Sequence, residues 1–502
     1  MKPSRIHKTI FAWLYSLLLM MALTVQAQEK PNIIYILCDD LGIGDVGIHN
    51  PNGKIPTPNM DRIGREGIVF TDAHSNSGVC TPTRYGILTG RYTWRSQLKR
   101  GVLQGYSDHL IEEDRMTVAS LLKDNGYHTA YIGKWHLGWD WARSGEGKED
   151  VDFTQPVSHG PNTNGFDYAY GHCGSLDMAP YVYVENGMPT AVPTKTTVRP
   201  RSEYSKGWWR EGLTAPDFDH WEVMSNFTER SVDYIREQAE TEEPFFLYLP
   251  YSSPHSPCLP TEEYVGSSGL DSIYADFVTM NDDHIGQVIA AVEAAGISEN
   301  TLIIVTSDNG CSPVADFKEL AGQGHDPSLI YRGQKGDIFE GGHRIPFVAR
   351  WPAKIKPGSI SHDTTCLTDL LATCADILNV DLPIDAGEDS VSMLPNLLGT
   401  ADGPVREAIV HHSLYGDFAI RQGEWKLIES PHSGGWSPPR AKNVDDWKDL
   451  PPIQLYNLKT DPGETTNLYN QYPEVVQRLR RLLDKYKTDD RSAPLANYGR
   501  TK

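Results

Sequence analysis

Four short runs along the chain are apolar at successive positions rather than at alternate ones. They are PNIIYILCDD (31–40), HTAYIGKWHLG (128–138), PFFLYLPYSSPHSP (244–257) and TLIIVTSDNG (301–310). Runs of four to six apolar residues without polar alternation suit strands covered on both faces, as in a parallel sheet. Between them lie helical patterns. MTVASLLKDNG closes on the glycine stop Gly126, and ADFVTMNDDHIGQVIAAVEAAG on Gly296. This alternation predicts a doubly wound, mainly parallel α/β sheet flanked by helices. The texture changes near residue 400. REAIVHHS, DFAIRQGEWKLIES and PIQLYNLKTDPGE read as short antiparallel strands, and PEVVQRLRRLLDKY as a closing amphipathic helix. The expected organisation is a catalytic α/β unit over residues 28–400 and a smaller α+β unit over 401–502.

The first 27 residues carry a different pattern. Lys2, Arg5 and Lys8 precede an apolar run from Ile10 to Val25, which ends in Val25-Gln26-Ala27. That is the pattern of a secretory leader cut after Ala27, so the mature chain is expected to be exported, periplasmic or secreted, with no stable membrane insertion. The full chain has 46 basic and 66 acidic residues, a net charge of −20, and losing the three leader cations makes it −23. Such a surface repels nucleic acid, and an anionic substrate needs a local cluster of cations to enter. Seven cysteines, an odd number, show no disulfide ladder, so at least one is unpaired or modified.

All four apolar runs end in polar residues, and ligands of doubly wound sheets bind beyond the carboxyl ends of the strands. Asp39, Asp40, Asp308 and Asn309 offer only oxygen ligands, the set that a hard cation such as Ca²⁺ or Mg²⁺ takes. Either pair alone reads as a strand-end turn; two such pairs ending buried strands of one sheet favour a metal. Lys134, His136, His255 and Lys335 add positive charge and proton-transfer capacity. His255 sits between prolines, which stiffens its backbone. A divalent cation ringed by lysines, an arginine and histidines suits an anionic tetrahedral ester. Cys80 precedes Pro82 and a helical stretch, so the helix N-terminus is expected to favour its thiolate. A thiolate beside a hard cation is an odd pairing, since hard cations do not seek sulfur.

CTPTRYGILTGR (80–91) resembles the signature of the type I, formylglycine-dependent sulfatases, arylsulfatase-like and of the carbohydrate-sulfatase branch. DDLG (39–42), GKWHLG (133–138), Pro254-His255, SDNG (307–310) and RGQKGDIFEGG (332–342) follow in that family's order across nearly the whole mature chain. The resemblance implies an alkaline-phosphatase-like fold and sulfate-ester hydrolysis. It implies that a maturation enzyme converts Cys80 to formylglycine, whose hydrate is the nucleophile, which removes the sulfur and the oddity with it. Asp39, Asp40, Asp308 and Asn309 would hold Ca²⁺ together with the converted residue 80. Arg84 would orient the hydrate, Lys134 and Lys335 neutralise the sulfate oxygens, His255 protonate the leaving oxygen and His136 take the proton that regenerates the aldehyde. Thr83 departs from the usual serine but keeps a hydroxyl.

FDYAYGHCGSLDMAPYVYVENG (166–187) resembles the insert loops that shape sugar pockets in carbohydrate sulfatases. His172, Asp177 and His325 are candidates to bond sugar hydroxyls, with loop packing as the alternative for each. Tryptophans 135, 139, 141, 208, 209 and 221 are possible stacking surfaces. The implied substrate is a sulfated carbohydrate such as a galactose or N-acetylgalactosamine sulfate. Two rivals stay open: a formylglycine-dependent phosphonate or phosphate ester hydrolase, and a sulfated-glycan-binding protein without turnover.

Overall fold

The computed structural model describes residues 30–198 and 204–494. The expected leader, residues 1–27, lies outside them. The four apolar runs become the strands Asn32–Asp39, His128–Lys134, Phe245–Pro254 and Thr301–Ser307, almost wholly buried along their lengths. They pair in parallel, Ile33 standing between Phe246 on one side and Leu302 on the other. A fifth parallel strand, Tyr168–His172, lies beside His128–Lys134 with Lys134 opposite His172. This corrects the reading of 166–187 as an inserted loop: its first part belongs to the central sheet.

Five shorter strands complete a ten-stranded sheet in the order Ser359–Ser361, Ile68–Phe70, Phe347–Arg350, Thr301–Ser307, Asn32–Asp39, Phe245–Pro254, His128–Lys134, Tyr168–His172, Val184–Glu185, Met188–Pro189. Its centre is parallel, and antiparallel pairs appear toward both edges. Helices Pro58–Glu66, Val223–Gln238 and Ile273–Ala294 pack together as one layer, and Cys80–Thr89, Val118–Asp124 and Leu370–Leu378 as another. Val118–Asp124 is capped by Thr117, whose side chain accepts from the Ser120 N–H, and its chain reverses at Gly126 with φ 81°. Among the described residues no helix is long and apolar enough to cross a membrane.

Strands Ile409–His412, Phe418–Gln422, Trp425–Ile428 and Gln454–Asn457 form a separate antiparallel sheet in sequential order. Helix Pro473–Thr488 covers it, burying Leu479 and Leu483 against Ile420 and Leu427. Tyr92, Trp94 and Cys366 from the larger unit join the same apolar cluster.

Polar groups fill the rest of that seam. Lys426 Nζ donates to His343 Nε2 (3.0 Å), His343 Nδ1 lies 3.0 Å from His74 Nδ1, and His74 Nε2 lies 2.9 Å from Asp72 Oδ1 and 3.1 Å from Arg421 Nη1. His411 stacks on His343 with ring centroids 3.6 Å apart and donates from Nδ1 to the Ser75 carbonyl. Asp72, Glu340, Arg344, Arg421, Lys426 and Glu464 face this group as mutual ion pairs. Burial first, then the neighbouring histidines and Lys426, holds His343 and His411 well below the usual imidazole range, and His74 is lowered as well.

The folded chain therefore keeps these rings neutral, whereas the unfolded chain protonates them below about pH 6.5. Stability is fully present above that pH and is lost as pH falls. Glu464, pushed up to about 7 by burial, acts in the opposite sense, so the informative quantity is a difference between proteins. His411→Phe keeps a ring on His343 but takes no proton. Its Tm should fall by fewer degrees than that of the unmodified chain between about pH 7.5 and about pH 5.5. Equal slopes in a thermal melt would remove His411 from the acid response.

Candidate active site

The parallel strands deliver their last residues to one edge. Asp39 and Lys134 end their strands, Pro254 leads into His255, and Ser307 into Asp308 and Asn309. Helix Cys80–Thr89 begins at that edge with Cys80, and all ten of its residues are buried. Lys335 arrives on a loop pinned by its own N–H to the Cys311 carbonyl and by the Gly336 N–H to the Gly78 carbonyl. Gly310 has no room for a side chain: a Cβ there would lie 1.9 Å from the Gly341 carbonyl oxygen, which seats the SDNG turn against the turn after Lys335. Asp40 and His136 hold left-handed backbone at φ 68° and 57°. Such strain at non-glycine residues concentrates at functional sites.

The side chains converge in alternating charge. Lys134 Nζ bonds Asp39 Oδ2, and Lys335 Nζ bonds Asp40 Oδ2 at 2.7 Å. Arg84 grips Asp308 Oδ2 through Nε (3.1 Å) and Nη2 (2.8 Å), lies 3.6 Å from Asp39 Oδ1, and donates from Nη1 to the Lys134 carbonyl. Asn309 Nδ2 donates to Asp40 Oδ1 at 2.8 Å. His255 Nε2 stands 3.7 Å from Asp40 Oδ2, and Cys80 Sγ 3.5 Å from Asp39 Oδ1. His136 donates from Nε2 to the Leu103 carbonyl at 3.0 Å, which leaves Nδ1 buried without a partner. Nine of the ten residues predicted for metal and catalysis are thus linked in one buried cluster; His136 is buried as well, but its ring bonds none of the other nine.

Two features fit a hard cation. Every donor of the Asp39, Asp40, Asp308 and Asn309 set is oxygen, and Asn309 Oδ1 is buried with no hydrogen-bond partner. The carboxylates are also crowded: burial and then the Asp39 charge push Asp308 up to about 6. Burial acts the same way on Asp39, but Lys134, His255 and Arg84 overcome it and hold that carboxyl well below its ordinary range.

Cys80 corrects one expectation. Burial, and then the Asp308 charge, raises its thiol well above the usual value despite Lys134 and Lys335. Burial and the carboxylate charge keep the sulfur a thiol rather than a nucleophilic thiolate.

None of the three sugar-reading candidates makes a side-chain hydrogen bond to this cluster. His325 is wholly buried, with Nε2 on Asp45 Oδ1 at 2.9 Å and Nδ1 accepting from the Lys54 N–H at 3.1 Å. With both nitrogens committed it cannot meet a sugar, and the loop-packing alternative holds. His172 bonds Ser252 through Nε2 (2.9 Å) and stacks on Phe227, and burial lowers it to about 3. It packs behind the site as part of the sheet. Asp177 is buried and paired with Arg210 at 2.6 Å.

Ser175 escaped the sequence reading. Its Oγ accepts from Lys134 Nζ at 3.2 Å and lies 3.2 Å from His255 Nδ1, joining the lysine and the histidine. Only its place three residues after His172, in GSLD, hinted at it. All seven cysteines are free and buried, and Cys38 packs in its strand against Asn281.

Comparison with known proteins agrees with this geometry. Residues 31–380 match the family model described as sulfatase, and residues 334–489 the model of the N-sulphoglucosamine sulphohydrolase C-terminal region. The chain is 35% identical to an N-acetylgalactosamine-6-O-sulfatase of Bacteroides thetaiotaomicron, over 92% of this chain and 94% of that protein. It is 31% identical to human arylsulfatase A, over 93% and 90%. A solved structure from work on glycosaminoglycan metabolism by Bacteroides thetaiotaomicron superposes with a TM-score of 0.81 at 34% identity, covering 92% of this chain and all of the other. With a family match running from residue 31 to 380 around a site of this composition, the chain belongs to the sulfatase family, and it is a sulfuric ester hydrolase.

Proposed function

We propose that this protein removes sulfate from a sulfated carbohydrate, an N-acetylgalactosamine or galactose sulfate, through a formylglycine made from Cys80 by a maturation enzyme and beside Ca²⁺. The observation that carries it is the buried set of three carboxylates and three cations around residue 80, with the unpartnered Asn309 oxygen. Asp39, Asp40, Asp308 and Asn309 hold the ion. Calcium supplies a Lewis acid for sulfate oxygens, and the hydrated aldehyde an oxygen nucleophile. Lys134 and Lys335 draw the sulfate in and neutralise the charge that builds on its oxygens. His255, donating from Nδ1 to the Ser256 carbonyl, presents Nε2, and in its imidazolium form it gives the Nε2 proton to the departing sugar oxygen and is left neutral. His136 accepts a proton at its bare Nδ1. All these groups lie within residues 39–335, inside the proposed catalytic unit 28–400, with 401–502 as the smaller unit. Export is part of the same reading, since residues 1–27 have the pattern of a leader.

The sugar assignment is supported by the 35% identical relative, whose name specifies the 6-sulfate of N-acetylgalactosamine. Matured enzyme offered the 6- and 4-sulfates of N-acetylgalactosamine, galactose 6-sulfate, and matched phosphate and phosphonate esters should release sulfate from a 6-sulfated sugar with the highest kcat/KM. Faster turnover of the phosphorus esters would replace this reading with a phosphonate hydrolase, and binding without turnover would make the protein a glycan binder.

A further inference from the structure

Of the six tryptophans singled out in the sequence, Trp135, Trp139, Trp141 and Trp209 are buried, while Trp208 is 48% exposed. The guanidinium of Arg210 lies over its ring, 4.8 Å from the centroid. Arg210 is fixed at three points. Its backbone N–H donates to the Asp177 carbonyl, its own carbonyl accepts from the Tyr181 hydroxyl, and its Nη1 spends both protons on Asp177, on the carbonyl (3.1 Å) and on Oδ2 (2.6 Å). That leaves the Nε–Nη2 edge. Among the described residues this edge has no partner, and the side chain is 42% exposed.

The segment adjoins the catalytic cluster on two sides. Asp177 follows Ser175, which touches Lys134 and His255, by two residues. Lys206 and Cys258, three residues after His255, exchange both backbone hydrogen bonds (3.1 and 2.8 Å). A Cβ on Gly207 would meet Ser256 at 2.8 Å.

We propose that Arg210 forms the rim of the pocket and binds, through its Nε–Nη2 edge, an acidic group on the sugar neighbouring the one that loses its sulfate. This deepens the reading of the protein as a carbohydrate sulfatase and rests on it. Two parallel N–H groups in a plane match the two oxygens of a carboxylate or sulfate, and the Trp208 face and Asp177 set that plane before the ligand arrives. Asp177 holds the arginine through Oδ2, and its Oδ1 is buried without a hydrogen-bond partner. In a chain with a net charge of −20, a free guanidinium edge on a segment adjoining the catalytic cluster is the local exception that an anionic substrate requires.

The test compares three disaccharides carrying the same cleavable sulfate, joined to a uronate, to a sulfated hexose or to an uncharged hexose. In the unmodified enzyme kcat/KM should be highest for an acidic neighbour. Arg210→Ala should reduce the ratio of acidic to uncharged substrate by roughly tenfold or more, the worth of a charge-assisted pair. Arg210→Lys, which lacks the fork, should restore only part of it. A ratio that falls for the uronate alone assigns a carboxylate, and for the sulfated hexose alone a sulfate. A ratio unchanged by Arg210→Ala, in a variant whose melt matches the parent, overturns the proposal. Should the unmodified enzyme release sulfate from none of the sugars, the parent reading fails instead. Calorimetry with the unsulfated uronate disaccharide then decides the rim separately, with loss of binding in Arg210→Ala supporting it and equal binding overturning it.

Discussion

Cys80→Ala should abolish sulfate release, by on the order of 10⁴-fold or more, while the protein still folds, since a lost nucleophile is not replaced by binding alone. The structural cost is small. The side chain shrinks by one atom at the first residue of a buried helix, and its only polar contact is the 3.5 Å approach to Asp39. The strands, the Lys134–Asp39 pair and the Arg84–Asp308 pair do not pass through the sulfur. The same loss should follow when the intact gene is expressed without a maturation enzyme. The raised thiol is protonated at neutral pH and buried, so it does not serve as a substitute nucleophile. Mass spectrometry of the peptide spanning residue 80 should show the active preparation ~18 Da lighter, the thiol-to-aldehyde difference. Normal turnover by Cys80→Ala, or by material retaining the full thiol mass, would end the assignment.

How far such a site can be read from sequence depends on how its determinants are spaced. The central strands were legible because a strand covered on both faces needs unbroken apolar residues, as in Ile33–Leu37 and Leu302–Val305. The polar residues ending them were legible because a parallel sheet sends every carboxyl end the same way. Tyr168–His172 was not, since its Ala and Gly give it little apolar bulk, and the edge strands of two to four residues are too short to show a period. The error over Cys80 comes from what the local sequence does not show. The helix start is local and visible, whereas the burial that raises the thiol, and after it the charges of Asp308 and Asp39, come from segments far away in the chain. His325 failed the same way: its partner Asp45 lies 280 residues off and nothing near it signals the pairing. Ser175 is the mirror case, an unremarkable residue that the fold places between Lys134 and His255.

Removing the lysines should separate catalysis from stability. Lys335→Ala and Lys134→Ala are each expected to lower kcat/KM by about 10²- to 10³-fold, the usual consequence of deleting a preorganised donor to developing negative charge. Their effects on folding should differ. Lys134 is wholly buried and is the ion-pair partner of an equally buried Asp39, so its loss strands a carboxylate and should cost up to about 3–5 kcal/mol, softened by Arg84 at 3.6 Å. Lys335 is buried a little less completely than Lys134, at 7% exposed against 0%, and Asp40 retains the Asn309 amide. Its loss should lower Tm less while affecting rate as strongly. Both variants leave a carboxylate of the oxygen set without its cation, so added Ca²⁺ should raise their Tm more than it raises that of the parent, by the mass action of binding the folded state. A loss of rate below about threefold, less than one charge-assisted contact is worth, would place these lysines off the sulfate. A Tm indifferent to Ca²⁺ in all three proteins would take the ion away from Asp39, Asp40, Asp308 and Asn309, whatever the activity shows.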